Sequence, residues 1–277
     1  MKFLRILGVA AAVLMTSAMA TQATRPQPAT GPAPAPTAPN AAEATAGAAT
    51  DAAAADSTVA AIPAPVVVVA GPVVPGNAET GATKAGACAA CHGLDGNAAD
   101  PQYPKLAGQH EQYIRRQLKL FKSGERDNAI MMGMSAALTE QDMRDIGAYY
   151  ATQKATSGVA DDTVIAAGPN ADKKFYQVGE KIFRAGKPSA GVPACSACHG
   201  PTGRGNPGPS YPSLGGQHST YTVASLQFFR GGGVWGKEAN ANIVMSQAAK
   251  GLTDEDIQGL ATYVEGLHAA NATAKSK

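Results

Sequence analysis

The chain has 277 residues, of which 44% are hydrophobic, 16% charged and only 5% aromatic, and its formal charge is +2. A balance this close to neutral gives no sign of the strong positive excess that a polyanion partner favours, so no nucleic-acid partner is expected. The chain also carries 31 glycines, 19 prolines and four cysteines, the last set in two close pairs.

Met1 to Arg5 form a basic start, Ile6 to Met15 are almost all apolar, and Ala18-Met19-Ala20 is a small-residue cleavage site. Residues 1–20 are therefore expected to be a secretory signal peptide, since the apolar stretch is short for a membrane span. Retention of this segment as an anchor is the alternative. Residues 21–76 are Ala, Pro, Thr and Gly with few large side chains. Such a stretch buries too little apolar area to offset its ordering entropy, and it is expected to be a disordered tether. Val66 to Val69 interrupt it with a short apolar run that is either a docking strand or plain low complexity.

The two cysteine pairs are Cys88-Ala-Ala-Cys91-His92 and Cys195-Ser-Ala-Cys198-His199. In each, the cysteines suit thioether bonds to one porphyrin and the adjoining histidine suits the iron, so the spacing predicts two covalent haem c groups. A zinc site would need ligands pooled from both copies, and a redox dithiol would not need the histidine. The body from residue 80 onward carries a formal charge of +3, which four ionised propionates turn slightly negative when both irons are ferrous.

An internal repeat surrounds these motifs. His199 follows His92 by 107 residues, and Tyr103-Pro-Lys-Leu-Ala-Gly-Gln-His110 recurs as Tyr211-Pro-Ser-Leu-Gly-Gly-Gln-His218 at a spacing of 108. Leu138-Thr-Glu-Gln-Asp142 recurs as Leu252-Thr-Asp-Glu-Asp256 at 114, so the second copy carries a short insertion. Two homologous domains are expected, at 77–160 and 161–277. Their small size calls for haem to complete each core.

The periodicity is helical. Tyr113, Ile114, Leu118 and Phe121 form an apolar stripe ended by Gly124, matched by Tyr221, Leu226, Phe228 and Phe229 ended by Gly231. Thr139 with Asp142, and Thr253 with Asp256, are candidate helix caps. Phe175 to Phe183 predict a helix ahead of the second motif, whereas its counterpart near 80–87 is short and rich in Ala and Gly.

The sixth iron ligand separates a carrier from an enzyme, because an iron held by histidine alone leaves a face open to small molecules. Methionine closes that face and favours ferrous iron. Met245 is the single methionine of the second domain, seven residues before Leu252, and the repeat places Met131 seven residues before Leu138. Met132 and Met134 compete with Met131. His110 and His218 are the alternative ligands, with a capping or surface role as their plainer reading. Pro104 and Pro212 are expected near the motif histidines, with a backbone carbonyl accepting the Nδ1–H.

Four segments together resemble the dihaem cytochrome c4 family over roughly residues 77–268. They are Cys-Ala-Ala-Cys-His-Gly-x-Asp-Gly-Asn from Cys88, Pro-Lys-Leu-Ala-Gly-Gln from Pro104, Phe-Lys-Ser-Gly-Glu-Arg from Phe121 and Met-x-Gly-Met from Met131. The resemblance implies an all-α fold of two tandem class I cytochrome c domains related by a pseudo-twofold. It implies His92 and Met131 on one iron, and His199 and Met245 on the other. It further implies a periplasmic electron carrier, with peripheral membrane association, between a membrane-bound quinol-oxidising complex and a terminal oxidase. A cytochrome subunit of a periplasmic dehydrogenase and a dihaem peroxidase are the alternatives. Two departures stand out: the long Ala/Pro tether, and Met245-Ser-Gln-Ala, which lacks the glycine after the methionine.

Overall fold

The computed structural model describes residues 74–268. The expected signal peptide and all but the end of the tether lie outside the described residues. Among the described residues, ten α-helices fall into two sets of five: α1 Ala78–Lys84, α2 Ala89–His92, α3 Glu111–Lys122, α4 Ala129–Ser135 and α5 Glu140–Thr152, then α6 Phe175–Ala185, α7 Ser196–His199, α8 Ser219–Arg230, α9 Ile243–Ala249 and α10 Asp254–Gly266. Among the described residues there is no strand, and pairing is limited to isolated bridges such as Val164 with Lys174. The fold is all-α, as the periodicity predicts.

The local signals act where they stand. Thr139 and Thr253 each cap a helix through a complete capping box with Asp142 and Asp256. The stripe of α3 ends at Ser123 and Gly124, the latter in the left-handed region at φ 71°. The Ala/Gly-rich counterpart of α6 forms the seven-residue helix α1, whose Asn77 side chain accepts from the Thr80 N–H. A 3-10 turn over Ala85–Cys88 then leads into the motif.

Glycine lets the terminal helices of each set cross closely. A Cβ at Gly81 would overlap the Asp145 carbonyl on α5, and one at Gly179 would overlap the Gly259 carbonyl on α10. Around the second crossing, Val178, Ile182, Phe183, Ile257, Leu260 and Val264 form a buried core. The first set has a smaller core built on Ile114, Leu118, Met143, Ile146 and Tyr150. Lys84 ties α1 to α5 through Asp142 at 2.5 Å and Asp145 at 2.7 Å, and Lys187 meets Asp256 at 2.6 Å in the second set.

The two sets face each other across reciprocal hydrogen bonds. The Lys105 N–H donates to Gln217 Oε1 at 2.8 Å and Gln217 Nε2 returns a bond to the Lys105 carbonyl at 3.0 Å. The Ser213 N–H donates to Gln109 Oε1 and Gln109 Nε2 donates to the Ser213 carbonyl, both at 2.9 Å. Because Lys105 and Ser213 are repeat mates, as are Gln109 and Gln217, this exchange is the pseudo-twofold in atomic form.

Two stability predictions follow from these contacts. Gly179→Ala forces α6 and α10 apart and costs about 1–3 kcal/mol, the usual range for overpacking, read as a fall in Tm of several degrees with both haems retained. For Asp142, the hydrogen bond from Lys84, with that from Thr139, lowers the carboxyl to about 2 from 3.8. A carboxyl depressed on folding contributes stability above its unfolded pKa, and that contribution is lost as pH falls through the folded value. Asp142→Asn is therefore expected to lower Tm at pH 7, with the gap to the native protein closing between about pH 4 and pH 2. A gap of equal size at pH 2 contradicts the role given to this carboxylate.

Candidate functional site

Both motif histidines sit at the C-terminal end of a single helical turn, His92 on α2 and His199 on α7, and both are buried. His92 Nδ1–H donates to the Pro104 carbonyl at 2.8 Å, and His199 Nδ1–H donates to the Pro212 carbonyl at 2.9 Å. The carbonyl that accepts is thus the proline's own. Since a carbonyl only accepts, the bond places the ring proton on Nδ1 and leaves the Nε2 lone pair for a metal. Burial lowers both imidazole pKa values, with the proline carbonyl acting in the opposite direction. Tyr103 and Tyr211 pack at 6.1 and 6.2 Å between ring centroids against their histidines.

The cysteines stand one helical turn apart beside each histidine, half-buried and unpaired with one another. Burial raises the Cys88 thiol and pushes Cys195 up to about 11.

One cavity of about 670 Å³ joins the two motifs, and its wall includes Cys88, Cys91, His92, Met131, Cys195, Cys198, His199 and Met245. The structure therefore brings every predicted site residue to a single hollow. Met134 also reaches the wall but is 41% exposed, while Met131 packs against the first core with Leu138. Met132 is exposed and does not reach it. Met245 packs against the second core.

His110 and His218 are absent from that wall. Each begins a helix, at the N-cap of α3 and of α8, but neither ring caps it. Instead His110 Nε2–H donates to the Arg204 carbonyl and His218 Nε2–H to the Ala98 carbonyl, each at 2.7 Å and each across the interface. The capping or surface role expected from their position is corrected accordingly: they join the two domains, and His218 is buried.

The residues fit haem c. The wall is mostly apolar, and among the described residues its charged members are Lys105, Arg116 and Arg126, with no carboxylate, as suits a group bearing acidic propionates. Gln117 Nε2 is buried on that wall without a hydrogen-bond partner. The sequence reading missed Gln109, Gln217, Arg126 and Trp235. The Gly-Gln-His ending of the repeat was the available sign for the glutamines, and the insertion was the sign for Trp235.

A helical pair of domains, each with a buried Nδ1-tethered histidine beside a cysteine pair on an apolar cavity, defines a dihaem c-type cytochrome. The family model for cytochrome c matches residues 78–154 and 177–268. Cytochrome c4 from Pseudomonas aeruginosa is 42% identical over 193 residues, covering 70% of this chain and 90% of that protein. The crystal structure of reduced recombinant cytochrome c4 from Pseudomonas stutzeri superposes with a TM-score of 0.62 at 40% identity, covering 70% of this chain and all of the other. A thiosulfate dehydrogenase electron acceptor from Stutzerimonas stutzeri is 35% identical over 178 residues, covering 64% of this chain and 77% of that protein. The chain belongs to the cytochrome c4 family: it is an electron-transfer protein that carries two covalent haem c groups.

Replacing Met245 with Ala is expected to open the second iron alone, seen as loss of about half of the ferric Met–iron charge-transfer band in the holoprotein. Met131→Ala is expected to do the same at the first iron, with Met134→Ala leaving the band intact. Loss of the band in Met134→Ala and its survival in Met131→Ala would reverse the first assignment.

Proposed function

We propose that this chain is an exported, periplasmic electron carrier that takes electrons from a membrane-bound quinol-oxidising complex and delivers them to a terminal oxidase. His92 with Met131, and His199 with Met245, would hold the two haem irons. The observation that carries this reading is that each histidine shares the cavity wall with a methionine seated against the same domain's core, which suits an iron closed on both faces. When bound, haem iron supplies one-electron transfer between the ferric and ferrous states.

The protein's own groups supply the rest. His92 and His199 are oriented by proline carbonyls, so the ring needs no reorganisation as the charge on the metal changes. The apolar wall excludes water. No acid or base is required beside the irons, and a soft thioether favours the reduced state.

The remaining boundaries belong to the same proposal: a signal peptide at 1–20, a tether at 21–76, and domains at 77–160 and 161–277. Peripheral membrane association would follow from a tether that docks. A second reading, a cytochrome subunit of a periplasmic dehydrogenase, draws support from the thiosulfate dehydrogenase electron acceptor noted above.

Deleting residues 21–76 behind an intact signal tests the role of the tether. Two haems and unchanged spectra are expected, with oxidase turnover in membranes reduced severalfold. Unchanged turnover would remove the tether from the account. Reduction of the holoprotein by a quinol-oxidising complex at a rate well above that by a thiosulfate-oxidising enzyme supports the first reading, and the reverse order supports the second.

A further inference from the structure

The repeat is interrupted at one place. Ten residues separate Phe121 from Met131, but sixteen separate Phe229 from Met245, and the extra length falls in Gly231–Asn242 of the second domain. That segment reaches across to the first domain. Its Gly236 N–H donates to the Glu125 carbonyl at 3.1 Å, and its Lys237 N–H donates to Glu125 Oε2 at 2.9 Å.

Trp235 in this segment packs on Phe228 and Phe229 of its own domain, at 6.0 and 4.7 Å between ring centroids, and the segment also meets two arginines of the first domain. Arg126 is stacked between aromatic rings, with its guanidinium carbon 3.5 Å from the Trp235 centroid and 4.5 Å from that of Phe121. Its edges donate to Gln117 Oε1 at 2.6 Å and Tyr221 Oη at 3.1 Å. Arg116 donates to the Asn240 carbonyl at 2.6 Å. The turn that offers this carbonyl is closed by the Asn242 N–H donating to the Trp235 carbonyl at 3.0 Å. Gly236 lies at φ 96°, where any Cβ would overlap the Asn240 carbonyl, so only glycine allows the turn.

These arginines are two of the three cations on the cavity wall, and all three come from the first domain. Their repeat mates in the second domain carry no charge: Ser213 stands for Lys105 and Ala224 for Arg116, while Arg126 lies opposite the inserted segment. The first domain therefore contributes the wall's positive charge, and the second contributes the segment that holds it in place. A cation fixed in a poorly solvated wall disfavours the ferric state, which carries one more positive charge than the ferrous.

We propose that the inserted segment Gly231–Asn242 is a cross-domain strap that fixes Arg116 and Arg126 in the shared cavity and raises the reduction potential of the first-domain haem, with Trp235 as the positioning residue for Arg126. The strap makes the potential of one haem depend on a side chain of the other domain. Trp235 lies on the cavity wall but carries no charge, and in this proposal its effect passes through the arginine it stacks on.

The inference rests on the presence of two haems, and its test reads that separately. Redox titration of the holoprotein, with each haem followed through its own paramagnetic NMR signals, is run on the native protein, Trp235→Ala, Trp235→Phe, Arg126→Gln and the Trp235→Ala/Arg126→Gln pair. Trp235→Ala and Arg126→Gln are each expected to lower the first-haem potential by about a tenfold change in ferrous-to-ferric ratio, which is about 59 mV for one electron. Trp235→Phe keeps an aromatic face and retains most of the native potential. The double variant falls no further than Arg126→Gln alone. A first-haem potential unchanged in a correctly ligated Trp235→Ala protein overturns the proposal, as does a Trp235→Ala shift that persists on the Arg126→Gln background. If Trp235→Ala fails to retain both haems, Arg126→Gln decides alone: a lowered first-haem potential supports the strap and an unchanged one overturns it. Fewer than two haems in the native protein would instead sink the two-haem reading.

Discussion

Each site depends on the hydrogen bond from a histidine Nδ1–H to a proline carbonyl, 12 residues on in the first domain and 13 in the second. This bond decides which ring nitrogen keeps its lone pair, and it holds the ring at one orientation while the cysteines beside it fix the porphyrin. Burial helps, because a histidine whose pKa is lowered stays neutral and available as a ligand. The Tyr-Pro pairs are thus more than turn residues. The tyrosine packs on the motif histidine's ring, and the proline supplies the acceptor from a backbone whose φ is already restricted.

From that bond the chain runs directly to the domain interface. The residue after each proline is Lys105 or Ser213, whose backbone is gripped by the glutamine of the opposite domain. The segment that orients each motif histidine is therefore clamped by the other half of the molecule. His110 and His218 extend the clamp with two further reciprocal bonds. Side-chain amides here play the part of a short backbone ladder beside the one cavity that joins the two motifs. Two redox sites in one packed unit suit electron exchange between haems without dissociation of either domain.

Much of this was legible in the sequence, for reasons that are local. A Cys-x-x-Cys-His motif and a Thr-x-x-Asp cap each act within a single helical turn, so residue identity and spacing suffice. The repeat extended that reach by aligning Met131 with Met245, and the structure places both on the cavity wall. Contacts between domains lacked such a signature. Nothing in Gly-Gln-His announces a bond to a carbonyl about a hundred residues away, so sequence alone points only to ligand, capping or surface roles for His110 and His218. The short helix α1 was obscured for a related reason. Its Gly81 looks unfavourable for a helix until the close approach of α5 is seen. The six-residue insertion was visible as a change of spacing, but the partner of Trp235 was not.

The central claim is that two closed His/Met irons reside in one molecule. An optical redox titration of the holoprotein tests it most directly. The account predicts two one-electron steps, with a ferric Met–iron charge-transfer band contributed by both haems and removed in stages on reduction. Absence of that band from either haem, or spectra of bis-histidine iron, would contradict it.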